Sequence, residues 1–367
     1  MNARKILFIH PNFPGQFRHL LKFCAARPEF KMDFITEALP VNYPGVTMHR
    51  SFDAALPRSE STAAVLRKLA AGGYSPDLVI SHSGWGSDLH VAEIFPQTKR
   101  LAYPEWYYRA GNKRNLPIFK ALERCDLAMV PTQWQKARFP ERFQNKLRVI
   151  HEGVDTAFYR ADPSASFSFF GQRYTADDEI LTYAARGQEP IRGFPEFMRA
   201  LPRILAARPQ VKVLIAGDDR VCYGVRHPSG ESWRTVMLKE LALLKDRVVF
   251  CNKLPEEYFL KFLQISSLHV YLTGDFILSW SLLNAMSCGC LVLASDTAPV
   301  REVVTHERNG LLCAPDHASI ADTVISMLEH RAHFRALRKQ AAIDIREHYD
   351  ASDCVQKQYQ LMMEILG

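Results

Sequence analysis

The sequence lacks the features of a membrane-spanning or secreted protein. No apolar run approaches the roughly 18 residues that a spanning helix needs, and the apolar run Ile6 to Ile9 near the N-terminus is too short for a secretory signal. The cysteines are scattered without a C-x-x-C pair, and Cys288 and Cys290 are too close for an ordinary bridge or a tetrahedral metal site. We therefore expect a reduced, cytoplasmic protein with no metal.

Acidic residues are scarce in the N-terminal part of the chain. Residues 1–165 hold 23 Lys and Arg against 15 Asp and Glu, whereas the remainder holds 23 against 24. This excess is typical of a domain that meets an anionic partner, such as a lipid-linked phosphate or the inner face of a membrane. An ordinary solvated surface is the alternative. No aromatic-basic pattern accompanies the charge, so we expect no nucleic-acid partner.

Strand-like apolar runs alternate with helical patterns along all 367 residues, a length that suits two domains. One series runs from "KILFIH" (5–10) to "KLRVIHEG" (146–153), and a second runs from "EILTYAAR" (179–186) to "NGLLCAP" (309–315). Such alternation predicts parallel sheets with helices on both faces. The predicted fold class is α/β, with two Rossmann-like domains facing each other across a cleft.

The stretch "RADPSASFSFFGQRYTADD" (160–178) separates the two series and is rich in Ser, Pro, Gly and Asp. This composition predicts a linker. We therefore predict an N-terminal domain over residues 1–160 and a C-terminal domain over 165–348. The last helix, around 351–366, has no strand after it and could pack on either domain.

Ligands of open α/β sheets bind at the carboxyl ends of the strands, and polar residues follow several of the predicted strands. Gly15, beside Gln16, permits a close approach of backbone to a ligand, with a simple turn glycine as the alternative. His82 and Glu105 end two later strands. The alternatives are a satisfied histidine at the core edge and a carboxylate paired with Arg109 or another cation.

Two arginines bracket the loop "RGQEPIRGF" (186–194) after the first strand of the second series. Arg186 and Arg192 lie beside a helix that we expect to begin at Phe194. Two guanidinium groups in this position can hold a diphosphate through paired, charge-assisted hydrogen bonds. The alternative is a pair of ordinary surface arginines.

A later helix begins abruptly within "FILSWSLLNAMSCG" (276–289). We predict its start near Ser279 or Trp280, with Ser279 as N-cap and the backbone N–H groups of 277–281 available to a ligand. Asn284 follows one turn later on the same face as Trp280. It can bond a ligand hydroxyl, or it can bond its own backbone.

The loop 218–236 is longer than a minimal strand-to-helix connection. It holds Tyr223, Arg226, His227 and Trp233. We expect either a lid or acceptor-specificity loop, or a decorated surface loop.

Taken in order, these motifs resemble the nucleotide-sugar domain of family 4 glycosyltransferases. The resemblance is carried by Arg186, the "RG" at 192–193, the "GD" at 217–218, "SLLNAMSCGCLVLASD", "APVREVV" and the "NGLL" at 309–312. "HEGVDTAFYR" (151–160) resembles the family's domain-joining signature, where N-G-V-D is common. The resemblance implies a GT-B fold, with the C-terminal helix (about 350–367) packing back on an acceptor-side N-terminal domain.

The same resemblance implies retaining transfer of a sugar from a nucleoside diphosphate, without metal or cofactor, to a glycan, lipid-linked or protein acceptor. UDP is favoured over GDP. Peripheral contact with the inner membrane face through the basic domain is a further expectation. The implied catalytic residues are Arg186, Arg192, Glu105 and His82, with Trp106, Tyr107 and Tyr108 as rings on which a sugar could stack. The implied donor-binding residues are Gly15, Gln16, Arg186, Arg192, Gly217, Leu254, Asp275, Phe276, Ile277, Leu278, Ser279, Trp280 and Asn284.

The sequence departs from the family at two glutamates, eight positions apart, that hold the donor. Their places are taken by Phe276 and Asn284, and Asp275 could substitute for the first after a small shift. A neutral amide binds a hydroxyl more weakly, because hydrogen bonds to neutral groups contribute about 0.5–1.5 kcal/mol and those to charged groups about 1.5–3. A nucleotide-sugar-binding protein with weakened catalysis therefore stays open, as does a nucleotide-sugar epimerase that needs no acceptor.

Overall fold

The computed structural model describes residues 3–244 and 247–367, and the chain divides into two compact units. One unit comprises the residues up to Gly153 together with Ala351–Gly367, and the other comprises Val154–Asp350. The second series of strand-like runs includes "DRVVFCNKL" (246–254), and its first residue, Asp246, lies outside the described residues. Both units are layered α/β structures, so the predicted fold class of two Rossmann-like domains is confirmed.

The first unit is built on a parallel sheet in the order β3-β2-β1-β4-β5-β6-β7. The central strand β1 pairs with β2 on one side and β4 on the other, with Ile6 opposite both Met32 and Leu78. Its strands are β1 Arg4–Ile9, β2 Phe30–Thr36, β3 Val46–Arg50, β4 Leu78–His82, β5 Lys99–Tyr103, β6 Leu127–Val130 and β7 Leu147–Val149. Its helices are α1 Arg18–Ala25, α2 Arg58–Ala71, α3 Val91–Ile94, α4 Asn115–Arg124, α5 Gln133–Arg138 and, at the end of the chain, α13 Ala351–Leu366.

The second unit repeats this topology in the order β12-β11-β10-β13-β14-β15. In both sheets the strand order reverses beside the first strand, which is the point where open α/β sheets bind ligands. The strands are β8 Ser166–Phe169, β9 Gln172–Thr175, β10 Ile180–Gly187, β11 Lys212–Asp218, β12 Val248–Asn252, β13 Leu268–Tyr271, β14 Val292–Ser295 and β15 Leu311–Cys313. The helices are α6 Phe194–Ala207, α7 Trp233–Glu240, α8 Glu256–Gln264, α9 Trp280–Ser287, α10 Ala298–Arg301, α11 His317–Glu329 and α12 Arg335–Tyr349.

Helix α13 packs on the first unit although it follows the second in sequence. Its buried residues Val355, Leu361 and Met362 join the apolar core around Ile6 and Phe8 of β1. The Gln358 side chain donates a hydrogen bond of 2.9 Å to the His151 carbonyl, which secures the helix to the end of β7. The chain therefore crosses from the second unit back to the first at Asp350.

Three features differ from the sequence predictions. The predicted linker at 160–178 contains an antiparallel hairpin of β8 and β9, whose Phe167 and Tyr174 are buried in the core of the second unit. Strand β3 was not predicted, because only Val46 and Met48 mark it as apolar. Helix α12 was also missed, since its buried residues Ala341, Asp344 and Ile345 are spread among charged neighbours.

Within residues 3–244 and 247–367, no helix combines the length and apolar character that crossing a bilayer requires. The same residues contain no group of three or more His, Cys, Asp or Glu side chains placed to hold a metal ion.

Candidate active site

Polar side chains at the strand ends of the first unit form a connected hydrogen-bond chain. The Asn12 N–H donates to His10 Nδ1 over 2.9 Å, so His10 carries its proton on Nε2 and donates it to Gln16 Oε1 at 2.8 Å. The Gln16 amide then donates to Glu105 Oε1 at 2.8 Å. The other carboxylate oxygen of Glu105 lies 3.3 Å from His82 Nε2. The structure thus brings together three residues predicted from separate strands.

Burial and hydrogen bonding determine the protonation states of His10 and Glu105 in this series of hydrogen bonds. Burial and the neighbouring His82 ring lower the pKa of His10 to about 3, so His10 is neutral at physiological pH. Burial raises the pKa of Glu105, but hydrogen bonds from His82 and Gln16 outweigh it and hold that pKa below its ordinary value. Glu105 is therefore an ionised acceptor whose orientation is fixed by its neighbours. The alternative partner Arg109 is exposed and does not contact it.

The glycine of the first loop is explained by packing. Gly15 has a φ of +57°, and a Cβ atom there would lie 2.6 Å from the His10 ring. A side chain at this position would displace His10 and thereby Gln16. The turn-glycine alternative accounts for Gly15 without a ligand, whereas Gln16 belongs to the polar chain.

Several functional neighbours in this unit were missed by sequence reasoning. Gln135, at the start of α5, donates to the Glu105 carbonyl at 2.5 Å. Tyr103, which ends β5, donates to the buried carboxylate of Glu152, and its ring lies 5.4 Å from that of His82. His82 Nδ1 is buried and makes no hydrogen bond within the described part of the chain. His10 and Tyr103 could have been identified from the sequence, because both lie at or near the end of a predicted strand.

Aromatic side chains flank Glu105 as the sequence suggested, but they pack mainly on one another. The Trp106 ring lies 5.7 Å from Trp134, and the Arg138 guanidinium lies 4.9 Å from both ring centres. Tyr107 packs against Phe119 at 5.8 Å. Trp106, which follows Glu105 in sequence, and Trp134 together offer a partly exposed aromatic face.

In the second unit, the two predicted arginines converge on one tyrosine. Arg186 is exposed at the end of β10 and donates from Nη1 to the Tyr223 hydroxyl at 3.1 Å. Arg192 is only 5% exposed, and its guanidinium carbon lies 5.5 Å from the Tyr223 ring centre. Helix α6 begins two residues after Arg192, as predicted. The cationic groups and a helix N-terminus therefore share one strand end.

Arg192 shapes the loop that precedes α9. Its Nη1 donates to Thr273 Oγ1 at 3.0 Å and to the Ile277 carbonyl at 2.8 Å, and it lies 3.4 Å from the Tyr271 hydroxyl. All of these bonds leave from one nitrogen. Within the described residues Nη2 and Nε make no hydrogen bond, so two of the three nitrogens of a nearly buried guanidinium keep their donors for a ligand.

Phe276 occupies the place where the resemblance predicts a carboxylate. Its ring is 8% exposed and lies 5.1 Å from both the Tyr223 ring and the Arg192 guanidinium. Arg192 is thus flanked by two aromatic rings, a favourable cation–π arrangement. Asp275 is exposed and makes no ion pair or hydrogen bond among the described residues, so the adjacent carboxylate does not replace the missing one in this conformation.

The start of α9 has the predicted N-cap. Ser279 accepts a hydrogen bond from the Ser281 N–H, and its own N–H donates to the Tyr271 hydroxyl at 2.8 Å. Asn284 follows one turn after Trp280 and is 8% exposed. Its side-chain amide makes no hydrogen bond within the described part of the chain, so the alternative of a local backbone bond is not observed.

Three further residues that were predicted to bind the sugar donor have roles in packing or backbone geometry: Gly217, Leu254 and Leu278. A Cβ atom at Gly217 would lie 1.8 Å from the Ala185 carbonyl, so the close approach of β10 and β11 requires glycine. Leu254 and Leu278 pack partly buried against the apolar core. Gly217 also accepts a hydrogen bond of 3.3 Å from Gln188, which ties the loop after β10 to β11.

Glu189 holds the long loop 218–236 in place, and sequence reasoning missed it. Its carboxylate is fully buried and accepts hydrogen bonds from the N–H groups of Cys222, Tyr223 and Gly224, the closest at 3.2, 3.0 and 2.6 Å. These bonds place Tyr223 over the arginines. The sequence feature that could have identified Glu189 is its position between two arginines in "RGQEPIR". His227 and Trp233 pack on each other instead, with ring centres 4.8 Å apart.

Comparisons with known proteins agree with this architecture. A family model described as "Glycosyl transferase family 4 group" matches residues 37–114 and 110–159, and one described as "Glycosyl transferases group 1" matches residues 167–344. No curated protein matches the chain.

Solved structures of similar fold include sucrose-phosphate synthase from Thermosynechococcus elongatus, with a TM-score of 0.77 and 18% identity over 99% of both chains. HepE from Anabaena, solved with UDP and glucose, has a TM-score of 0.76 and 16% identity, covering 99% of this chain and 100% of HepE. A glycosyltransferase from Rickettsia africae has a TM-score of 0.73 and 13% identity, covering 100% and 99%. At these identities the likeness establishes the fold.

The two family models together take in most of the chain, including His82, Glu105, Arg186 and Arg192. The chain is therefore a glycosyltransferase with the GT-B fold, built from a domain that matches the glycosyltransferase family 4 group and a domain that matches glycosyltransferases group 1.

Proposed function

We propose that this glycosyltransferase moves a sugar from a nucleoside diphosphate, UDP in preference to GDP, to a hydroxyl of a glycan, glycolipid or glycoprotein with retention of configuration. The observation that carries the proposal is the convergence of Arg186 and Arg192 on Tyr223, with two of the three Arg192 guanidinium nitrogens making no hydrogen bond within the described residues. A nearly buried cation with unused donors is a strong site for a diphosphate. The HepE structures with UDP and with UDP-glucose favour UDP.

The proposed reaction follows from the charged side chains at the carboxyl ends of the strands in each unit. The bond between the sugar C1 and the β-phosphate oxygen breaks, and a bond from C1 to the acceptor oxygen forms on the same face. The acceptor proton passes to the departing phosphate oxygen, so no protein base is required. Arg186 and Arg192 neutralise the negative charge that grows on the diphosphate, and for that reason we propose a reaction without metal or cofactor.

Glu105 and His82 are proposed to act on the sugar and acceptor side. The ionised Glu105 carboxylate can accept a hydrogen bond from a sugar hydroxyl, and its position is fixed by Gln16 and His82. Rigid placement of this kind reduces the loss of side-chain freedom when a ligand binds. The partly exposed faces of Trp106 and Trp134 could stack on sugar rings.

A second candidate is a nucleotide-sugar-binding protein with weakened catalysis. The observation in its favour is Phe276, which places an apolar ring where the family has a donor-holding carboxylate, while Asp275 stays exposed. We rank it below the transferase, because Arg186 and Arg192 converge on one tyrosine and because hydrogen bonds from Gln16 and His82 fix the Glu105 carboxylate.

We further propose that the protein works in the cytoplasm, with its basic N-terminal unit next to an anionic partner. The excess of positive charge lies within residues 1–165. A lipid-linked acceptor would bring that charge close to the inner face of a membrane.

Calorimetry with UDP and GDP, followed by nucleotide release from a panel of nucleotide-sugars, tests the proposal. We expect UDP binding that is lost in Arg186→Ala and kept in Arg203→Ala, a control on the exposed face of α6 that pairs with Asp322. Binding without turnover of any donor, with or without an acceptor, would favour the second candidate. Unchanged UDP binding in Arg186→Ala would remove the diphosphate role, and sugar conversion without acceptor would indicate an epimerase.

A further inference from the structure

The first unit carries an apolar patch that is rimmed by cations and that no step of the reaction uses. The patch surrounds an open groove of about 310 Å³. Three of the side chains on it are exposed large apolar residues: Trp85 is 46% exposed, Leu116 is 58% exposed, and Leu56, next to the groove residue Pro57, is 45% exposed. Isolated apolar residues on a surface need no explanation, but a group around one groove marks an interaction site.

The chain segment that contains the groove residue Leu116 carries charge of one sign. The segment between Glu105 and Glu123 contains no acidic residue and carries the basic residues Arg109, Lys113, Arg114 and Lys120. Lys120 lines the groove itself, and Lys113 and Arg114 immediately precede α4, which begins with Asn115 and Leu116. None of these four cations forms an ion pair within the described part of the chain, and all four are exposed.

Carboxylates on neighbouring elements do not compensate this charge. Glu60 lies 4.0 Å from Arg67, and Glu93 lies 3.3 Å from Arg124, while the His90 ring lies between the two carboxylates. Glu123 lies 3.7 Å from Arg142. One groove cation, Arg58, is neutralised by Glu37 and rests 5.0 Å from the Trp85 ring centre. The charges of the segment 109–120, which form no ion pair among the described residues, are all positive.

We infer that this patch binds the surface of an anionic lipid bilayer. Exposed tryptophan and leucine beside lysine and arginine suit the bilayer interface, where rings sit at headgroup depth and cations meet anionic headgroups. A neutral protein partner would leave the cations unpaired, and a nucleic acid would leave the apolar groove without a matching surface. The inference sharpens the proposed function, on which it rests for the idea of a lipid-linked acceptor.

The position of the patch fits that role. The Trp85 ring centre lies 6.2 Å from that of His82, a member of the Glu105 chain. Trp85 follows β4 directly, so the patch and the candidate acceptor residues share the carboxyl edge of one sheet. A bilayer held at the groove would present lipid-linked hydroxyls close to His82 and Glu105.

Cosedimentation of the full chain with vesicles tests the inference. Vesicles of phosphatidylcholine mixed with phosphatidylglycerol are compared with phosphatidylcholine alone, at low and high salt. The triple variant K113Q/R114Q/K120Q is expected to lose up to about a hundredfold in affinity, since each cation near an anionic surface contributes roughly fivefold. The matched triple K253Q/K339Q/K357Q removes the same charge from exposed lysines elsewhere and is expected to bind as the unmodified protein does.

A second variant separates the apolar contribution from charge. Trp85→Ser with Leu116→Ser is expected to weaken vesicle binding at high salt, with Tyr258→Ser, 53% exposed on the second unit, as control. Circular dichroism and Tm show whether each variant is folded. Failure of the unmodified protein to bind the mixed vesicles would overturn the inference, and so would equal losses in the two charge triples. Nucleotide release from donors without vesicles tests the proposed function separately.

Discussion

The polar side chains at the strand ends of the first unit and those at the strand ends of the second unit differ in how many of their hydrogen-bonding groups have a partner in the protein. In the first unit, Glu105 receives hydrogen bonds from both Gln16 and His82, and Gln16 is held in turn by His10. In the second unit, Arg192 donates from a single nitrogen to its partners among the described residues, and Arg186 donates to the Tyr223 hydroxyl. The first arrangement fixes the position of a carboxylate, whereas the second keeps donors of the Arg192 guanidinium available to an anion. Binding and catalysis should therefore respond to different substitutions.

The largest expected effect is the loss of nucleotide binding in Arg192→Met. Removing a nearly buried cation that faces a diphosphate should weaken UDP binding by about a hundredfold or more, because each hydrogen bond to a charged group contributes roughly 1.5–3 kcal/mol. Calorimetry measures the change. Arg192→Lys should retain part of the affinity, since it keeps the charge but loses the fork of donors.

Arg192 also supports the Ile277 carbonyl, so Tm must accompany the binding measurement. Arg203→Met provides a matched control on α6. Full UDP affinity in a folded Arg192→Met protein would show that the free donors of Arg192 do not bind the diphosphate, and the proposed difference between the two units would be wrong.

The second expected effect separates turnover from donor binding. Glu105→Gln keeps the size of the side chain but removes its charge, and we expect kcat to fall roughly ten- to hundredfold, as a hydrogen bond to a charged acceptor is replaced by a neutral one. UDP affinity should stay unchanged, because Glu105 belongs to the other unit. Initial-rate kinetics and calorimetry give the two quantities. Glu93→Gln, an exposed carboxylate of the same unit, is the control, and a parallel loss of UDP affinity would contradict the separation.

The fold and the polar ends of strands could be predicted because they depend on local pattern. Alternating apolar runs specify parallel strands, and a parallel sheet brings the residues after each strand to one edge. His82, Glu105, Arg186 and Arg192 were found in this way. The hairpin at 166–175 was not, since its Ser, Gly and Asp content is also that of a linker.

The partners of these residues could not be predicted, because they depend on side-chain packing between distant segments. Glu189 lies three residues from Arg186 in sequence, yet its role appears only when loop 222–224 folds onto its carboxylate. His10 determines why position 15 is glycine, through a contact that no sequence pattern encodes. Phe276 likewise acquires a role only through its ring contacts with Tyr223 and Arg192.

Acid sensitivity offers a third way to compare the units, because each contains a buried neutral histidine. Burial lowers the pKa of both His10 and His269 to about 3. The unfolded chain binds protons at these sites below about pH 6.5 while the folded protein does not, so the free energy of unfolding falls as pH drops from 6.5 towards 3, by about 1.4 kcal/mol per unit for each histidine. His10→Asn, which keeps an acceptor for the Asn12 N–H, should therefore lose on the order of 2 kcal/mol less than the unmodified protein between pH 6.5 and 5.

Urea unfolding at pH 7, 6 and 5 measures this difference. His317→Asn, a substitution of the same kind at an exposed site, is measured beside His10→Asn as the control. Glu105 adds to the same trend at lower pH, since its lowered pKa contributes stability that is lost as pH falls through the folded-state pKa. A pH dependence in His10→Asn identical to that of the unmodified protein would mean that His10 is protonated in the folded state.

The smallest expected effect concerns Asn284, whose side-chain amide has no hydrogen-bond partner among the described residues. Asn284→Glu should tighten donor binding by up to about tenfold, because a charged acceptor forms a stronger hydrogen bond to a ligand hydroxyl than an amide does. Asn284→Gln has the same length without the charge, so it isolates that cause and should show no gain. A carboxylate that is 8% exposed also carries a desolvation cost, and Tm without nucleotide should fall in Asn284→Glu and recover when UDP is added. Weaker binding in Asn284→Glu than in Asn284→Gln would show that this site holds its sugar donor by a geometry of its own, which a neutral amide at position 284 fits better than a carboxylate.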